Sequence, residues 1–252
     1  MKIFLGGDAH CGSVVGLTPP AWQQEETQKE MWRWFRAGIK KHGPFDLAVW
    51  NGDMIDGKSS RTGSTDVITA DRNKQIMMAK QVIKAVNAPE NLFTYGTPYH
   101  VGKDEDWEES LAREFDSKIK NHAYLRISGI DFSIKHQVGG STIPHGRFTA
   151  IAKEKLWNEA WAREKHQHPE SQVVIRSHVH YHTYCGKNGK DWWLAMTLPA
   201  LQGLGSKYGA RQCSGVVDFG FVWMETAKGK IINWNAEIVE LESHKNHVEV
   251  YD

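Results

Sequence analysis

The chain has 252 residues, 40% of them hydrophobic, which is enough for one sizeable core and short for two independent enzyme domains. Lys and Arg total 31 against 30 Asp and Glu, and the resulting net charge of +1 excludes long-range attraction for a nucleic-acid backbone, leaving only a local basic groove for such a partner. The opening MKIFLGGDAH has an apolar run too short for a signal-peptide core, no later stretch approaches a membrane span, and the three widely spaced cysteines, Cys11, Cys185 and Cys213, suit free thiols in a reducing compartment, so a cytoplasmic location is expected.

In chain order, residues 2–7 read as a short buried strand, and 20–42 as a helix with Trp32, Phe35 and Ile39 near helical spacing on one face. Residues 45–51 are the next predicted strand. The loop 57–65, rich in Gly, Ser and Thr, leads into a second helix over 66–86 that stops near Pro89, and 92–96 is a third strand. Strand alternating with helix argues for a parallel sheet in this half, with ligands gathering beyond the carboxyl ends of its strands. In the second half, 124–127 and 130–136 flank Ser128-Gly129 as a hairpin, and a polar helix covers 150–165. Strands are expected at 172–177, 192–197, 216–225 and 230–239, the last pair joined across Ala227-Lys228-Gly229. The expected fold class is α/β, a single domain over 1–252 in which two mixed β-sheets lie face to face, flanked by helices.

Four clusters of histidine or aspartate follow these predicted strands. Asp8-Ala9-His10 offers a carboxylate and an imidazole two residues apart, a spacing that turns both to one side of an extended backbone and suits a shared metal; a solvated turn is the commoner fate of such a tripeptide. Asn51-Gly52-Asp53-Met54-Ile55-Asp56-Gly57 follows an apolar run, so the Asp53 carboxylate stands just outside the sheet, where it can bridge two cations about 3.5–4 Å apart. Asp56 is then left to cap the next turn or to orient a ligand, and an acidic turn is the plain alternative. His100 closes Gly96-Thr97-Pro98-Tyr99-His100, and His178, His180 and His182 alternate after the strand at 172–177, while His136 ends its own strand. Each has an ordinary surface reading. Their joint occurrence, in order and each at a strand end, points to metal binding.

The segments GDAH, GDMID, GTPYH, KHQ and SHVH resemble the ordered motifs of the calcineurin-like metallophosphoesterases, namely Asp-x-His, Gly-Asp-x-x-Asp, Gly-Asn-His followed by Asp or Glu, an isolated His, and Gly-His-x-His. The resemblance spans about residues 8–180, and its spacing is similar to a subgroup associated with phages and prophages, which would place the protein in a host cytoplasm. It implies a calcineurin-like metallophosphoesterase sandwich that hydrolyses phosphate esters with water activated between two divalent ions. Carried over residue by residue, it gives Asp8, His10 and His180 to one ion and His136 and His178 to the other, with Asp53 bridging and His100 assisting the leaving group. Two departures follow. Thr97 stands where the family has an asparagine ligand, and its neutral hydroxyl is a poorer ligand than an amide oxygen, so the second ion is expected to be held less tightly, with water or His100 completing its shell. Ser177 replaces the glycine before His178, a change a strand end tolerates.

With mixed His and Asp ligands, the two divalent ions are expected among Mn, Fe, Zn, Co and Ni. Arg61, which shares the 57–65 loop with Lys58, and Arg147, downstream of His136, are candidates for gripping nonbridging phosphoryl oxygens. The expected substrate is a phosphodiester, such as a nucleotide or nucleic acid, with a phosphomonoester or nucleotide pyrophosphate next. A metal-stabilised scaffold without turnover is the reading from another class, and six surviving His and Asp ligands are more site chemistry than a structural metal needs.

Overall fold

The computed structural model describes residues 1–58, 66–102, 106–141, 143–164, 168–204 and 216–244. Its strands are β1 (Lys2–Gly6), β2 (Leu47–Asn51), β3 (Glu90–Thr94), β4 (Lys118–Lys120), β5 (Ala123–Ile127), β6 (Ile130–Ile134), β7 (Val173–Arg176), β8 (Thr183–Lys187), β9 (Trp193–Thr197), β10 (Phe219–Ala227) and β11 (Lys230–Val239). They form two sheets, ordered β11-β10-β1-β2-β3-β4 and β5-β6-β7-β9-β8. Both are mixed. In the first, β1 to β4 run parallel and β10 lies antiparallel to both its neighbours, β1 and β11; in the second, β6, β7 and β9 run parallel between two antiparallel edges. The architecture is an α/β sandwich of two mixed sheets flanked by helices.

The side-chain period of two explains why β1 and β2 read as nearly continuous apolar runs. Ile3, Leu5, Leu47 and Val49 point between the sheets, where they meet Phe132, Ile134, Val173 and Ile175. Phe4, Ala48 and Trp50 point outward, under α1 (Glu26–His42) and α2 (Arg72–Val86), which supply Met31, Phe35, Met78 and Val82. On the far side α5 (Arg147–Glu164) lays Ile151 over Val174 and Ala195. The short helices α3 (Pro98–Val101) and α4 (Trp107–Arg113) follow β3. No helix among the described residues is long and apolar enough to cross a membrane.

Both expected hairpins are present, each with two residues at positive φ as a two-residue turn requires: Ser128 and Gly129 at 51° and 85°, Lys228 and Gly229 at 48° and 73°. The helices expected from residues 20 and 66 start later. Pro20–Trp22 is a 3-10 turn, and α1 begins only after Glu25, where Gln28 returns its side-chain oxygen to the Glu25 N–H at 3.1 Å, closing a capping box. Residues 66–68 are held instead by the segment after β1, through Val14 N–H to Asp66 O at 3.0 Å and Ile68 N–H to Gly12 O at 2.7 Å, so α2 waits for its cap Asp71, whose carboxylate accepts from Asn73 N–H at 2.9 Å. The strand expected from 216 begins at Phe219, and the strand expected at 92–96 is drawn back to Glu90–Thr94 by its pairing with β2. Strands β4 and β8 and helices α3 and α4 were not expected, being short and without an apolar run.

Candidate metal centre

Strands β1, β2, β3, β6 and β7 end at one edge of the sandwich, and every candidate ligand lies in the turns that follow them. The turn after β1 is zipped to the turn after β2: Asp8 N–H donates to Gly52 O at 2.9 Å, His10 N–H to Asp53 O at 3.0 Å and Cys11 N–H to Met54 O at 3.0 Å. This pairing corrects the expectation of an extended backbone at Asp8-Ala9-His10. Asp8, His10, Asp53, His178 and His180 have φ of 50°, 42°, 51°, 75° and 55°. The left-handed region costs a residue with a side chain about 1 kcal/mol or more and persists where surrounding contacts over-determine it, characteristically at functional sites. At Gly52, with φ 77°, and at Gly96 a side chain is excluded, since a Cβ would press on the His136 ring and on Asp53 respectively.

The turns bring the candidate ligands into three trios, Asp8-His10-His180, His10-Asp53-His100 and Asp53-His136-His178, in each of which the ligand atoms lie within 4.8 Å of one another. Asp8 Oδ1 is 3.2 Å from His180 Nε2 and 3.9 Å from both His10 Nε2 and His136 Nε2, His10 Nε2 is 3.2 Å from His180 Nε2, and His136 Nε2 is 3.0 Å from Asp53 Oδ2. Ligands about 2.0–2.2 Å from a tetrahedral cation stand roughly 3.4 Å apart, so these separations have the scale a metal shell needs.

Unmet polar demand supports the same fit. Asp8 Oδ1 and His136 Nε2 are buried without a hydrogen bond in proper geometry, although Asp8 Oδ1 stands 3.2 Å from the His180 ring and His136 Nε2 3.0 Å from the Asp53 carboxylate. Their other atoms are committed. Asp8 Oδ2 accepts from the His178 N–H at 3.1 Å, and His136 Nδ1 donates to Asn51 O at 2.7 Å, which fixes the tautomer and leaves Nε2 for a ligand. A divalent cation among these atoms satisfies both. Without one, burial raises Asp8 but the His136 and His180 imidazoles hold it below its ordinary value; Asp53 is likewise lowered, mainly by His136 working against burial. Burial would pull His136 down, yet the Asp53 and Asp8 charges carry it up to about 10, while burial and the neighbouring imidazoles lower His10 and His178.

His100 sits at the rim, its ring 4.5 Å from that of His10. Its Nδ1 is 2.9 Å from Asp56 O, which can only accept, and 3.5 Å from Asp56 Oδ1, so Nδ1 carries a proton and Nε2 is the atom free to act. Burial lowers this imidazole, but the Asp56 hydrogen bond and the Asp53 charge outweigh it and place it at about 9. Asp56 also faces His10 Nδ1 at 3.2 Å and therefore orients two imidazoles at once. Thr97 lies against Asp53, donating from its N–H to Oδ1 at 2.7 Å and placing Oγ1 3.0 Å from Oδ2.

Three supporting residues escaped the sequence reading. Asn51 joins the sheets, donating to Ser177 Oγ at 2.8 Å and to Lys135 O at 3.3 Å while accepting from Thr94 Oγ1 at 2.6 Å. Ser177 is thus the partner of that bond. Glu108, buried on α4, accepts from Met54 N–H and Gly96 N–H, both at 2.7 Å, and so fixes the spacing between the turns that carry Asp53 and Thr97. Burial and the Asp53 charge push its acid up to about 8. Asn51 and Ser177 lie inside motifs already singled out, whereas Glu108 gave no sequence signal. Of the two arginines, Arg147 lies over the Tyr181 ring at 4.8 Å, and Arg61 lies outside the described residues, as does Cys213.

No protein-family model matches the chain, and no curated protein matches it. Among solved structures it is similar to an archaeal phosphodiesterase, at 14% identity and a TM-score of 0.48, covering 95% of this chain and 100% of that one. It is also similar to Vps29 from Entamoeba histolytica complexed with zinc, at 12% identity and a TM-score of 0.46, covering 96% and 100%. A third is the sulfate thiohydrolase SoxB of Thermus thermophilus, at 10% identity and a TM-score of 0.43, covering 96% of this chain and 57% of that one.

Proposed function

We propose that the chain is a dinuclear metal-dependent phosphoesterase of the calcineurin-like family, acting on phosphodiesters such as nucleotides or nucleic acids. The observation that carries this reading is the shared membership of the trios: Asp53 belongs to two of them, so one carboxylate faces both the His10 side and the His136 side of the centre. A structural metal needs one closed shell; two adjoining shells around a common carboxylate are the arrangement of a two-metal hydrolytic site. Two divalent ions, when bound, would supply Lewis-acid polarisation of a phosphoryl group and a nucleophile from water at neutral pH.

The chain's own residues do the rest. Asp8, His10 and His180 hold one side and His136 and His178 the other, with Asp53 between them. His100 keeps its proton on Nδ1 against Asp56 and, protonated at neutral pH, presents Nε2–H to the leaving oxygen. Arg147, which lies over the ring of Tyr181, the residue after His180, is the candidate to meet a nonbridging phosphoryl oxygen. The ordered motifs and their spacing support the family and its phage-associated subgroup.

The test is metal stoichiometry of the purified protein together with hydrolysis of bis-p-nitrophenyl and p-nitrophenyl phosphate. Two divalent ions and turnover of the diester are expected. Turnover of the monoester alone would move the substrate class to phosphomonoesters, and two bound ions with neither ester cleaved would overturn the enzyme reading.

A further inference from the structure

The strands β8 and β11 are the last of their respective sheets, and they border one groove of about 690 Å³ at the open edge of the sandwich. Tyr184, Trp192, Trp193 and Trp234 line it together with Lys187 and Lys230, and no carboxylate is among its lining residues. Tyr184 is 58% exposed, although a tyrosine ring gains by burial, and it meets Trp234 edge to face at 5.0 Å. The row continues inward to His182, 5.9 Å from Tyr184 and 6.3 Å from Trp234. That imidazole is fixed by Nδ1–H donation to Thr197 O at 2.7 Å, and it lies two residues beyond His180.

The registers give the groove a direction. Thr183 pairs with Thr197 at the metal end of β9 and Lys187 with Trp193 at its other end, while Val239 of β11 pairs with Phe219 and Lys230 with Ala227. The aromatic row therefore starts beside the candidate metal centre, and both lysines stand at the far end, with ~13 Å of strand between Thr183 and Lys187.

We propose that this groove binds single-stranded nucleic acid, with bases stacked on Tyr184 and Trp234 and phosphates met by Lys187 and Lys230. Exposed aromatic faces leading to a pair of cations, with no acid among the lining residues, are the chemistry that recognises unpaired bases on a polyanion. A duplex hides its base faces, and a peptide added to either sheet edge has no use for two lysines without a counter-charge. The groove's service to catalysis, holding an extended substrate beside the centre, rests on the phosphodiesterase reading; binding itself does not.

The experiment measures anisotropy of a short fluorescein-labelled oligothymidylate, its linkages phosphorothioate to resist cleavage, against the full-length protein as purified. Saturable binding is expected, with a slope of log affinity against log salt of about −1.4 for two single-strand phosphate contacts. Tyr184→Ala should weaken binding about tenfold, and Lys187→Glu with Lys230→Glu should remove most of the salt dependence. Both variants should cleave bis-p-nitrophenyl phosphate as the parent does. Absence of binding, or equal affinity in parent and Tyr184→Ala, overturns the proposal. So does preference for an unstructured peptide of similar length, or a dimer in sedimentation that Tyr184→Ala dissolves. Intact oligonucleotide binding with no ester hydrolysis would leave the groove standing and sink the phosphoesterase reading alone.

Discussion

Asp53 is the residue on which the proposed centre depends most, because it is the one carboxylate that belongs to two of the trios. Thr97 donates to Oδ1 through its N–H and places Oγ1 near Oδ2, while His136 Nε2 stands 3.0 Å from Oδ2. Asp53→Asn keeps the shape and one acceptor but removes the charge that two cations share. It is expected to keep the fold by circular dichroism, to lose bound metal by mass spectrometry, and to lose at least about a hundredfold in hydrolysis; near-native turnover by a fully metallated variant would refute the bridging role. His136 gives a pH prediction. In the metal-free chain its imidazole stands at about 10, so at neutral pH it is protonated and an ion must expel that proton to bind. Affinity at that site should rise about tenfold per pH unit below the raised pKa, with one proton released, which calorimetry in buffers of different ionisation heat will read. A pH-independent affinity would show that His136 does not ligate. His100 separates by chemistry. If Nε2–H serves the leaving oxygen, His100→Ala keeps both ions and slows alkyl esters by ~10²–10⁴ while nitrophenyl esters lose little. Equal losses on both ester classes with metal intact would exclude that role.

The elements matter at this site through their ends. Helix α4 contributes no ligand, yet its Glu108 carboxylate joins the turn after β2 to the turn after β3. Glu108→Ala would leave two buried N–H groups unmatched, at about 1–3 kcal/mol each, so denaturant unfolding should show a loss of about 2–6 kcal/mol, larger than surface substitutions on the same helix. A loss below about 0.5 kcal/mol would mean water replaces the carboxylate. Nothing in the sequence marks Glu108, since a glutamate in an acidic helical turn has the composition of a solvated face. The candidate ligands stood out for the opposite reason: Asp8, Asp53, His136 and His178 are polar groups directly after apolar runs, where a polar residue at a buried strand end invites a specific role. Strands β1, β2 and β7 were legible from those same runs. Strand β8 was not, because TYCGK at a sheet edge buries too little to leave a pattern, and the true starts of α1 and α2 were set by side-chain caps and by pairing of residues 66–68 with the segment after β1. The left-handed turns were invisible because their residues are Asp and His, chosen for chemistry, where a conformation-driven choice would have been glycine.

At the scale of the molecule, the centre lies where the two sheets meet at one end. Asp8, His10, Asp53 and His100 follow strands of the first sheet, and His136, His178 and His180 follow strands of the second. Each proposed shell takes ligands from both sheets, and direct polar links between them at this end run from Asn51 to Ser177 and from the His178 N–H to Asp8. Bound ions would therefore act as staples across the sandwich, and their loss would leave buried Asp8 and Asp53 facing imidazoles without full hydrogen-bond geometry. A ligand at a hundred times its Kd stabilises the native state by about 2.7 kcal/mol, and a domain of this size shifts about 2–4 °C in Tm per kcal/mol, so each tightly held ion is expected to be worth roughly 5–11 °C. The two should not leave together. The shell of Asp8, His10 and His180 has three ionic or imidazole ligands besides Asp53, whereas His136 and His178 have Asp53 and a Thr97 hydroxyl that already faces Asp53, while Asp8 Oδ1 stands 3.9 Å from His136 Nε2 and closer to His180. Titrating a chelator of graded strength while following Tm by calorimetry should give two downward steps, the first releasing the ion on the His136 side. His178→Ala should abolish the first step and spare the second. A single step removing both ions, or a Tm indifferent to chelation while metal is lost, would show that the sheets hold this end of the sandwich without them.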